Sequence, residues 1–274
     1  MHKDQISQTA TSLIHFDRDT PVLEILRLCG GVYLCPKDAA GKRVGPLVGY
    51  AGKSPRLKTN LVGDIYANFS TAERYWHVMA EFARRLVENP RFQEILPRLD
   101  GLCGMPMGGI TYSSHLARAC DRTGIFLEKL VTAVANPIEG TKEESILVAG
   151  RCEIILGANY AIVEDVTNNF STTLKAIGLI EKAGGKVIAI CSILNRSPKH
   201  TSDFPLPDGR EIPVISAYQE PFPEFETDDE AVAADIAAGN VIWKPKENWP
   251  KLMTAMDAAR ETALANQSDK PSGS

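Results

Sequence analysis

Two adjacent acids, Glu164 and Asp165, come directly after the apolar stretch 160–163 and are the residues best placed to do chemistry. Carboxylates at the end of a strand can hold sugar hydroxyls or a hydrated divalent cation. A polar loop and a helix start follow, where free backbone N–H groups and the positive end of the helix dipole suit a phosphate. The polar residues of this corner are Asn169, Ser171, Thr172 and Thr173. An ordinary helix N-cap beside exposed acids is the alternative interpretation.

A glycine-rich turn at 104–109, GMPMGG, is the second candidate. It joins an apolar segment to a stretch with helical character. Because glycine has no side chain, Gly108 and Gly109 would let the backbone approach an anion closely. Strand-to-helix turns commonly contain glycine, so the motif by itself is a weak signal of function.

Strands and helices alternate from about residue 100 onward, which predicts an α/β fold with a parallel sheet and helices on both sides. The predicted strands are 101–106, 126–131, 152–156, 160–164 and 186–194, and the predicted helices are 108–122 and 172–185. In an open parallel sheet, ligands bind beyond the carboxyl ends of the strands. The acid pair and the glycine turn are therefore expected at the same edge of the sheet.

The N-terminal part has a different pattern. A helix is predicted after 20–21, where Pro21 suits a first turn, and it ends at 30–31 with two glycines. Short strands at 32–36 and 46–50 flank a turn and predict a hairpin. A further helix is predicted over 71–88.

The C-terminal part is rich in proline and acids. A strand is predicted at 212–216, and the run 219–230, with six acids, is interpreted as a solvated stretch ahead of a helix. Helices are predicted over 228–238 and 247–264. The turn 243–246 is interpreted as a packing anchor for the last helix.

Four regions follow from these patterns. Residues 1–19 and 265–274 are polar and expected to be flexible tails. Residues 20–200 form the α/β core together with its N-terminal elements, and 201–264 form an extension that packs on this core.

Composition excludes several classes of protein. The chain has 274 residues, a formal net charge of -4 and 44% hydrophobic residues, so it lacks the basic excess of a nucleic-acid-binding protein. It has no apolar run long enough for a membrane helix and no signal-peptide pattern, which favours a cytoplasmic protein. The six cysteines form no CxxC pair and are expected to be buried, reduced thiols rather than zinc ligands.

The glycine turn and the acid pair, in this order and spacing, resemble the type I phosphoribosyltransferases, and most closely the orotate phosphoribosyltransferases. The resemblance covers roughly residues 45–200 and rests on six segments. These are IVEDV at 162–166, GMPMGGI at 104–110, FLEKL with Lys129, IEG at 138–140, YAGKSPRLKTN at 50–60, and AGGKVIAICSILNRS at 183–197.

The resemblance implies a parallel-sheet core of the phosphoribosyltransferase type, flanked by helices, with a small hood built from N-terminal and C-terminal elements. It also implies transfer of a phosphoribosyl group from phosphoribosyl pyrophosphate to orotate, with Mg²⁺, in a homodimer. Glu164 and Asp165 would hold the ribose hydroxyls directly or through water and the metal. The remaining roles fall on Asn169, Ser171, Thr172 and Thr173 for the 5-phosphate, on Met107, Gly108 and Gly109 for the pyrophosphate, on Lys129 as the loop cation, and on Lys53 and Lys58 for orotate or pyrophosphate.

Two departures from the family pattern leave other functions open. The phosphate loop has Asn169, Phe170, Ser171 and Thr172 where the family usually has Thr-Gly-Gly-Thr, and glycine would wrap a phosphate at less steric cost. The loop after Lys129 is also poor in basic residues, with only Lys142 further on. A non-catalytic module that binds a nucleotide or phosphosugar, and transfer to a different base with a pocket shaped by the C-terminal extension, are therefore the alternatives.

Overall fold

The computed structural model describes residues 14–133 and 144–268. In chain order its elements are α1 (Val22–Leu28), β1 (Val32–Leu34), β2 (Leu47–Lys53), β3 (Asn60–Gly63), β4 (Ile65–Ala67), α2 (Phe69–Ala72), α3 (Trp76–Val87), α4 (Pro90–Ile95), a 3-10 turn (Leu96–Arg98), β5 (Gly101–Gly104), α5 (Gly108–Cys120), β6 (Thr123–Phe126), β7 (Glu128–Ala133), β8 (Glu144–Val148), β9 (Asn159–Thr167), α6 (Ser171–Lys182), β10 (Lys186–Asn195), β11 (Asp203–Pro205), β12 (Glu211–Gln219), α7 (Ala233–Ala237), β13 (Val241–Ile242) and α8 (Trp249–Ser268).

The centre of the molecule is a six-stranded sheet in the order β11-β12-β10-β9-β5-β6. All neighbouring strands run parallel except β11, which pairs antiparallel with β12. Side chains alternate along a strand, so successive residues of β9 point to opposite faces of the sheet, and both of these faces are buried. Ala161 and Val163 pack with α3 and α5, whereas Tyr160 and Ile162 pack with α6. The predicted α/β fold with a mainly parallel sheet and helices on both sides is confirmed.

A hood of smaller elements stands beside the sheet and combines both ends of the chain. Strand β2 pairs antiparallel with β3 and parallel with β13, and β1 pairs antiparallel with β4. Leu252 of α8 is buried against Tyr33 and Val48. The extension after residue 200 therefore contributes a strand, β13, and a helix, α8, to the hood.

The predicted hairpin of 32–36 with 46–50 is wrong, because β1 and β2 pair with other strands. Pro36 and Pro46 lack the N–H groups that a continuous two-stranded ladder would need. The intervening segment makes a tight turn, with a single bridge between Lys37 and Arg43.

Several element boundaries also differ from the predictions. The helix predicted over 71–88 is split into α2 and α3, and 126–131 divides between β6 and the two-stranded arm β7–β8. The stretch 152–156 is a loop, in which Ile155 donates its backbone N–H to the Tyr160 hydroxyl at 3.0 Å. An apolar run of this length has no periodicity that separates a strand from a buried turn. The helix predicted over 228–238 is shortened to α7. Within the described ranges, no helix combines the length and apolar character needed to cross a membrane.

Candidate functional site

The acid pair and the glycine turn meet because β5 and β9 are neighbours in the sheet. Gly104 lies opposite Val163, and the Met105 backbone N–H donates to the Val163 carbonyl at 2.9 Å. A Cβ added to Gly108 would lie 2.2 Å from Asp165 Oδ2, and one added to Gly109 would lie 2.2 Å from the Val163 carbonyl oxygen. Both positions need glycine because the turn is pressed against the end of β9. Met107 projects outward and is 83% exposed.

Glu164 and Asp165 lie within β9, which continues beyond the predicted strand to Thr167. They point to opposite faces of the sheet, because Glu164 continues the series of Ile162 and Asp165 continues that of Val163. The expectation of exposed acids is wrong, since both residues are half-buried. Asp165 Oδ1 accepts a hydrogen bond from the Val166 backbone N–H at 2.9 Å.

Burial changes the protonation of both carboxyl groups. Desolvation, together with the nearby charge of Asp165, raises the pKa of Glu164 to about 8, against the opposing effect of a Thr173 hydrogen bond. Desolvation also raises the pKa of Asp165, although the Val166 N–H and the positive charge of Lys246 act in the other direction. Strongly perturbed carboxyls in a cleft are typical of functional sites.

The helix start at α6 is partly occupied by the chain itself. Asn169 Oδ1 accepts hydrogen bonds from the backbone N–H of Ser171 at 3.1 Å and from its hydroxyl at 3.0 Å. Thr173 is buried and its hydroxyl acts on Glu164 by lowering the pKa of that carboxyl, whereas Thr172 is exposed.

Phe170 does not fill the corner between β9 and the start of α6. Its backbone has φ 57°, in the left-handed region that favours glycine, but its ring is 3% exposed in the core beneath the loop. The ring stacks on Phe204 with centroids 4.9 Å apart and meets His200 edge-on at 5.3 Å. Phe170 therefore anchors the loop from below.

A cavity of about 530 Å³, which we call the arm cavity, lies between the glycine turn, the β7–β8 arm and α6. It is lined by Pro106, Lys129, Ser145, Ile146, Leu147, Thr172, Lys175 and Leu179. The structure thus brings Lys129 beside Thr172 and adds a second cation, Lys175, which the sequence analysis missed. Lys175 lies one helical turn beyond Thr172, and this i, i+3 spacing was the available signal.

A second cavity of about 240 Å³, the hood cavity, lies between the hood and the end of β9. It is lined by Tyr50, Ile65, Tyr66, Ala67, Asp165, Val166, Asn168, Arg196, Phe222 and Lys246. The Arg196 guanidinium stacks over the Tyr50 ring at 4.6 Å and pairs with Glu224 at 3.3 Å. The interpretation of 243–246 as a packing anchor missed Lys246, because the cavity is assembled from segments far apart in the chain.

Lys53 and Lys58 are exposed and line neither cavity. Their segment is held by the acidic run instead. Arg56 Nε donates to Glu226 at 2.7 Å and its guanidinium also bonds Asp228. The prediction that the 219–230 run is solvated holds for most of its acids, since four of the six are exposed. Some acids of the run also form ion pairs, among them Glu226 and Asp228 with Arg56. The predicted loop residues at 138–140 and Lys142 lie outside the described residues.

A metal centre built by protein side chains alone is not present among the described residues, since no three His, Cys, Asp or Glu side chains there come close enough to hold an ion. Asp165 lines the hood cavity and, once ionised, fits Mg²⁺ that takes most of its ligands from water and a substrate diphosphate, whereas Glu164 lines neither cavity and its raised pKa of about 8 keeps it protonated near neutral pH.

Comparisons with known proteins agree with the sequence resemblance. No protein-family profile matches the chain. The orotate phosphoribosyltransferase of Campylobacter lari is 29% identical over 99 residues, which is 36% of this chain and 43% of that protein. The enzyme of the same name from Campylobacter jejuni subsp. jejuni is 28% identical over 155 residues, 53% of this chain and 68% of that protein. The first alignment thus spans less than half of the relative's length. The resemblance of this chain to orotate phosphoribosyltransferases is confirmed.

Among solved structures, orotate phosphoribosyltransferase from Aeropyrum pernix aligns with 73% of this chain and 93% of its own, at 13% identity and a TM-score of 0.45.

Proposed function

We propose that this protein transfers the phosphoribosyl group of phosphoribosyl pyrophosphate to orotate, forming orotidine monophosphate and pyrophosphate. The observation that carries the proposal is the contact of the glycine turn with the strand-end acid, where Gly108 leaves no room for a side chain beside Asp165. This contact places a backbone suited to a diphosphate against a carboxyl suited to a ribose. The curated relatives named orotate phosphoribosyltransferase support the same reaction class.

The residues divide into three tasks. In the arm cavity, Thr172 with the N–H groups of α6 would bind the 5-phosphate, after it displaces Asn169 from Ser171. The backbone at Met107, Gly108 and Gly109 would face the diphosphate, with Lys129 and Lys175 supplying positive charge. Glu164 and Asp165 would hold the ribose hydroxyls as the glycosidic centre acquires oxocarbenium character. Thr173 orients Glu164 from the buried side.

Mg²⁺, when bound through substrate and water near Glu164 and Asp165, would neutralise the departing diphosphate. The protein's own part is to position the reacting groups and to stabilise charge, because the displacement needs no covalent enzyme intermediate. Lys53 and Lys58 are weaker candidates for orotate or pyrophosphate, as both lie outside the two cavities. We further propose that the protein is a cytoplasmic homodimer, which light scattering of the purified chain tests in part.

The test is release of pyrophosphate from phosphoribosyl pyrophosphate and Mg²⁺ with orotate, uracil, adenine and guanine as acceptors. Turnover with orotate supports the proposal, and turnover with another base alone supports the alternative of a different acceptor. The matched control is Glu94→Gln, an exposed change on α4 away from both cavities.

Binding without turnover is the second candidate function, and the Asn169–Ser171 pairing favours it because the chain already satisfies part of its own phosphate site. Calorimetric titration with phosphoribosyl pyrophosphate and Mg²⁺ distinguishes the two. Heat of binding with no pyrophosphate release for any base would establish the binding module. No heat at millimolar ligand would exclude both functions.

A further inference from the structure

We propose that Lys246, delivered by the C-terminal extension, determines the acceptor specificity of the hood cavity by neutralising an anionic substituent on a planar ring. This inference rests on the proposed function for the identity of the acceptor. The observations that carry it are the position of Lys246, the charges around it and the shape of the cavity.

The shape of the hood cavity suits a single ring. Its volume of about 240 Å³ lies below the usual range of about 300–1,000 Å³ for drug-sized ligands. Tyr50, Tyr66 and Phe222 supply aromatic wall, and Asn168 supplies an amide. Aromatic rings mixed with polar and charged side chains favour a planar heterocycle that carries polar substituents.

Two cations, Arg196 and Lys246, line the hood cavity. The Arg196 guanidinium stacks over Tyr50 and lies 3.3 Å from Glu224, but its Nη1 atom is buried without a hydrogen-bond partner among the described residues, so a ligand can bind both cations. Asp165 supplies a negative charge to the same cavity, but its carboxyl lies against Gly108, on the side of the site proposed for the sugar. Lys246 forms no ion pair with any residue in the described parts of the chain, although its charge reaches both Asp165 and Glu73. Lys246 and Asp165 both line the hood cavity, so a ligand bound there would lie beside the lysine.

Lys246 is held in place by the turn that carries it. Strand β13 just before the turn pairs with β2, and the Trp243 ring lies where a Cβ on Gly49 would be only 2.1 Å from its Cε3 atom. After the turn, Asn248 Nδ2 donates to the Trp243 carbonyl at 3.2 Å and Trp249 Nε1 donates to the Gly30 carbonyl at 3.0 Å. A turn fixed on both sides presents its lysine at a small entropic cost.

The proposed reaction has two anionic groups that Lys246 could bind, the carboxylate of the acceptor and the diphosphate, and they would lie in different cavities. A carboxylate on the acceptor ring would lie in the hood cavity, which Lys246 lines. The diphosphate would lie at the glycine turn and the arm cavity, which Lys129 and Lys175 line. We therefore assign Lys246 to the acceptor and not to the diphosphate.

The experiment is equilibrium titration of the full chain with orotate, uracil and phosphoribosyl pyrophosphate, each with Mg²⁺, for the wild type, Lys246→Ala and Lys246→Arg. Lys251→Ala is the control, because it removes the same charge from an exposed site on α8 outside the cavity. We expect Lys246→Ala to weaken orotate binding by about 10- to 100-fold, the scale of a charge-assisted hydrogen bond, with the affinity for uracil and phosphoribosyl pyrophosphate unchanged. Lys246→Arg should restore most of the orotate affinity.

The outcomes separate this inference from the proposed function. Unchanged orotate affinity in Lys246→Ala, equal losses in Lys251→Ala, or a loss confined to phosphoribosyl pyrophosphate would overturn the role of Lys246. A wild type that binds neither orotate nor uracil would overturn it as well. Orotate binding that depends on Lys246 in a protein without turnover would support the inference while refuting the transferase.

Discussion

The buried carboxyl of Glu164 predicts that the protein loses stability as the pH rises, and that Glu164→Gln removes much of this loss. In the folded protein its pKa is raised from an ordinary value near 4.5 to about 8 by desolvation and by Asp165. Between these two values the folded state retains a proton that the unfolded state has released. Stability therefore decreases as the pH rises through this window and is lowest above the folded pKa.

The magnitude follows from the size of the pKa change. At about 1.36 kcal/mol for each pKa unit, the rise to about 8 corresponds to at most about 5 kcal/mol. Because Glu164 is half-buried and the site can relax, we expect about 2–3 kcal/mol between about pH 5 and pH 9. Glutamine keeps the shape and can still accept the Thr173 hydrogen bond, but it cannot ionise. Asp165 retains a smaller dependence of the same sign, because its pKa is also raised.

Urea unfolding, followed by fluorescence at pH values across this range, measures the effect through the midpoint at constant m. The wild type should become less stable from acid to alkaline pH, Glu164→Gln should show a flatter profile, and Glu94→Gln should follow the wild type. If the variant and the wild type lost stability in parallel, the carboxyl would be solvated in the folded state and the argument from burial would be wrong.

Three further predictions concern the same corner. Gly108→Ala would push a methyl group into Asp165 and should weaken phosphoribosyl pyrophosphate binding by about 100-fold in calorimetry. The control is Gly178→Ala on α6, whose added Cβ meets nothing within 4 Å and which should raise stability by up to about 1 kcal/mol. Phe170→Gly relieves a left-handed backbone but removes a buried ring, so thermal unfolding should show a net loss of about 2–4 kcal/mol; an unchanged or higher stability would mean that the ring is not a core anchor. Asp165→Asn should leave stability unchanged or slightly higher and reduce affinity for phosphoribosyl pyrophosphate by about 1–3 kcal/mol, and full affinity in this variant would show that the acid is misassigned.

Local patterns predicted the elements that surround the acid pair. Strands β5, β9 and β10 and helices α5 and α6 match the predicted strands and helices, because they combine a continuous apolar run or a helical period with clear glycine boundaries. The hood was less predictable, because its short strands pair across long distances in the chain. Nothing local to β1 indicates that its partner is β4 rather than the following strand.

The candidate site shows the same division. The adjacency of the glycine turn and the acids could be inferred from topology, since the carboxyl ends of neighbouring parallel strands share one edge of the sheet. The direction of the Phe170 ring could not be inferred from the sequence, because a residue with left-handed backbone can turn its side chain toward the loop or toward the core. Packing against Phe204 decides the direction. The sequence also carried no sign that Lys175 and Lys246 line the two cavities, because both lysines lie in stretches with ordinary helix and turn composition.

The sequence by itself determined the α/β class, the order of the core elements and the identity of the strand-end acids, because each of these is encoded within a short window of residues. The tertiary structure alone decided that the acids are half-buried, and that a lysine from the last quarter of the chain reaches the hood cavity beside Asp165. The burial of a side chain and its interactions with distant charges depend on which segments of the chain pack together. The free energy of the whole fold determines that packing.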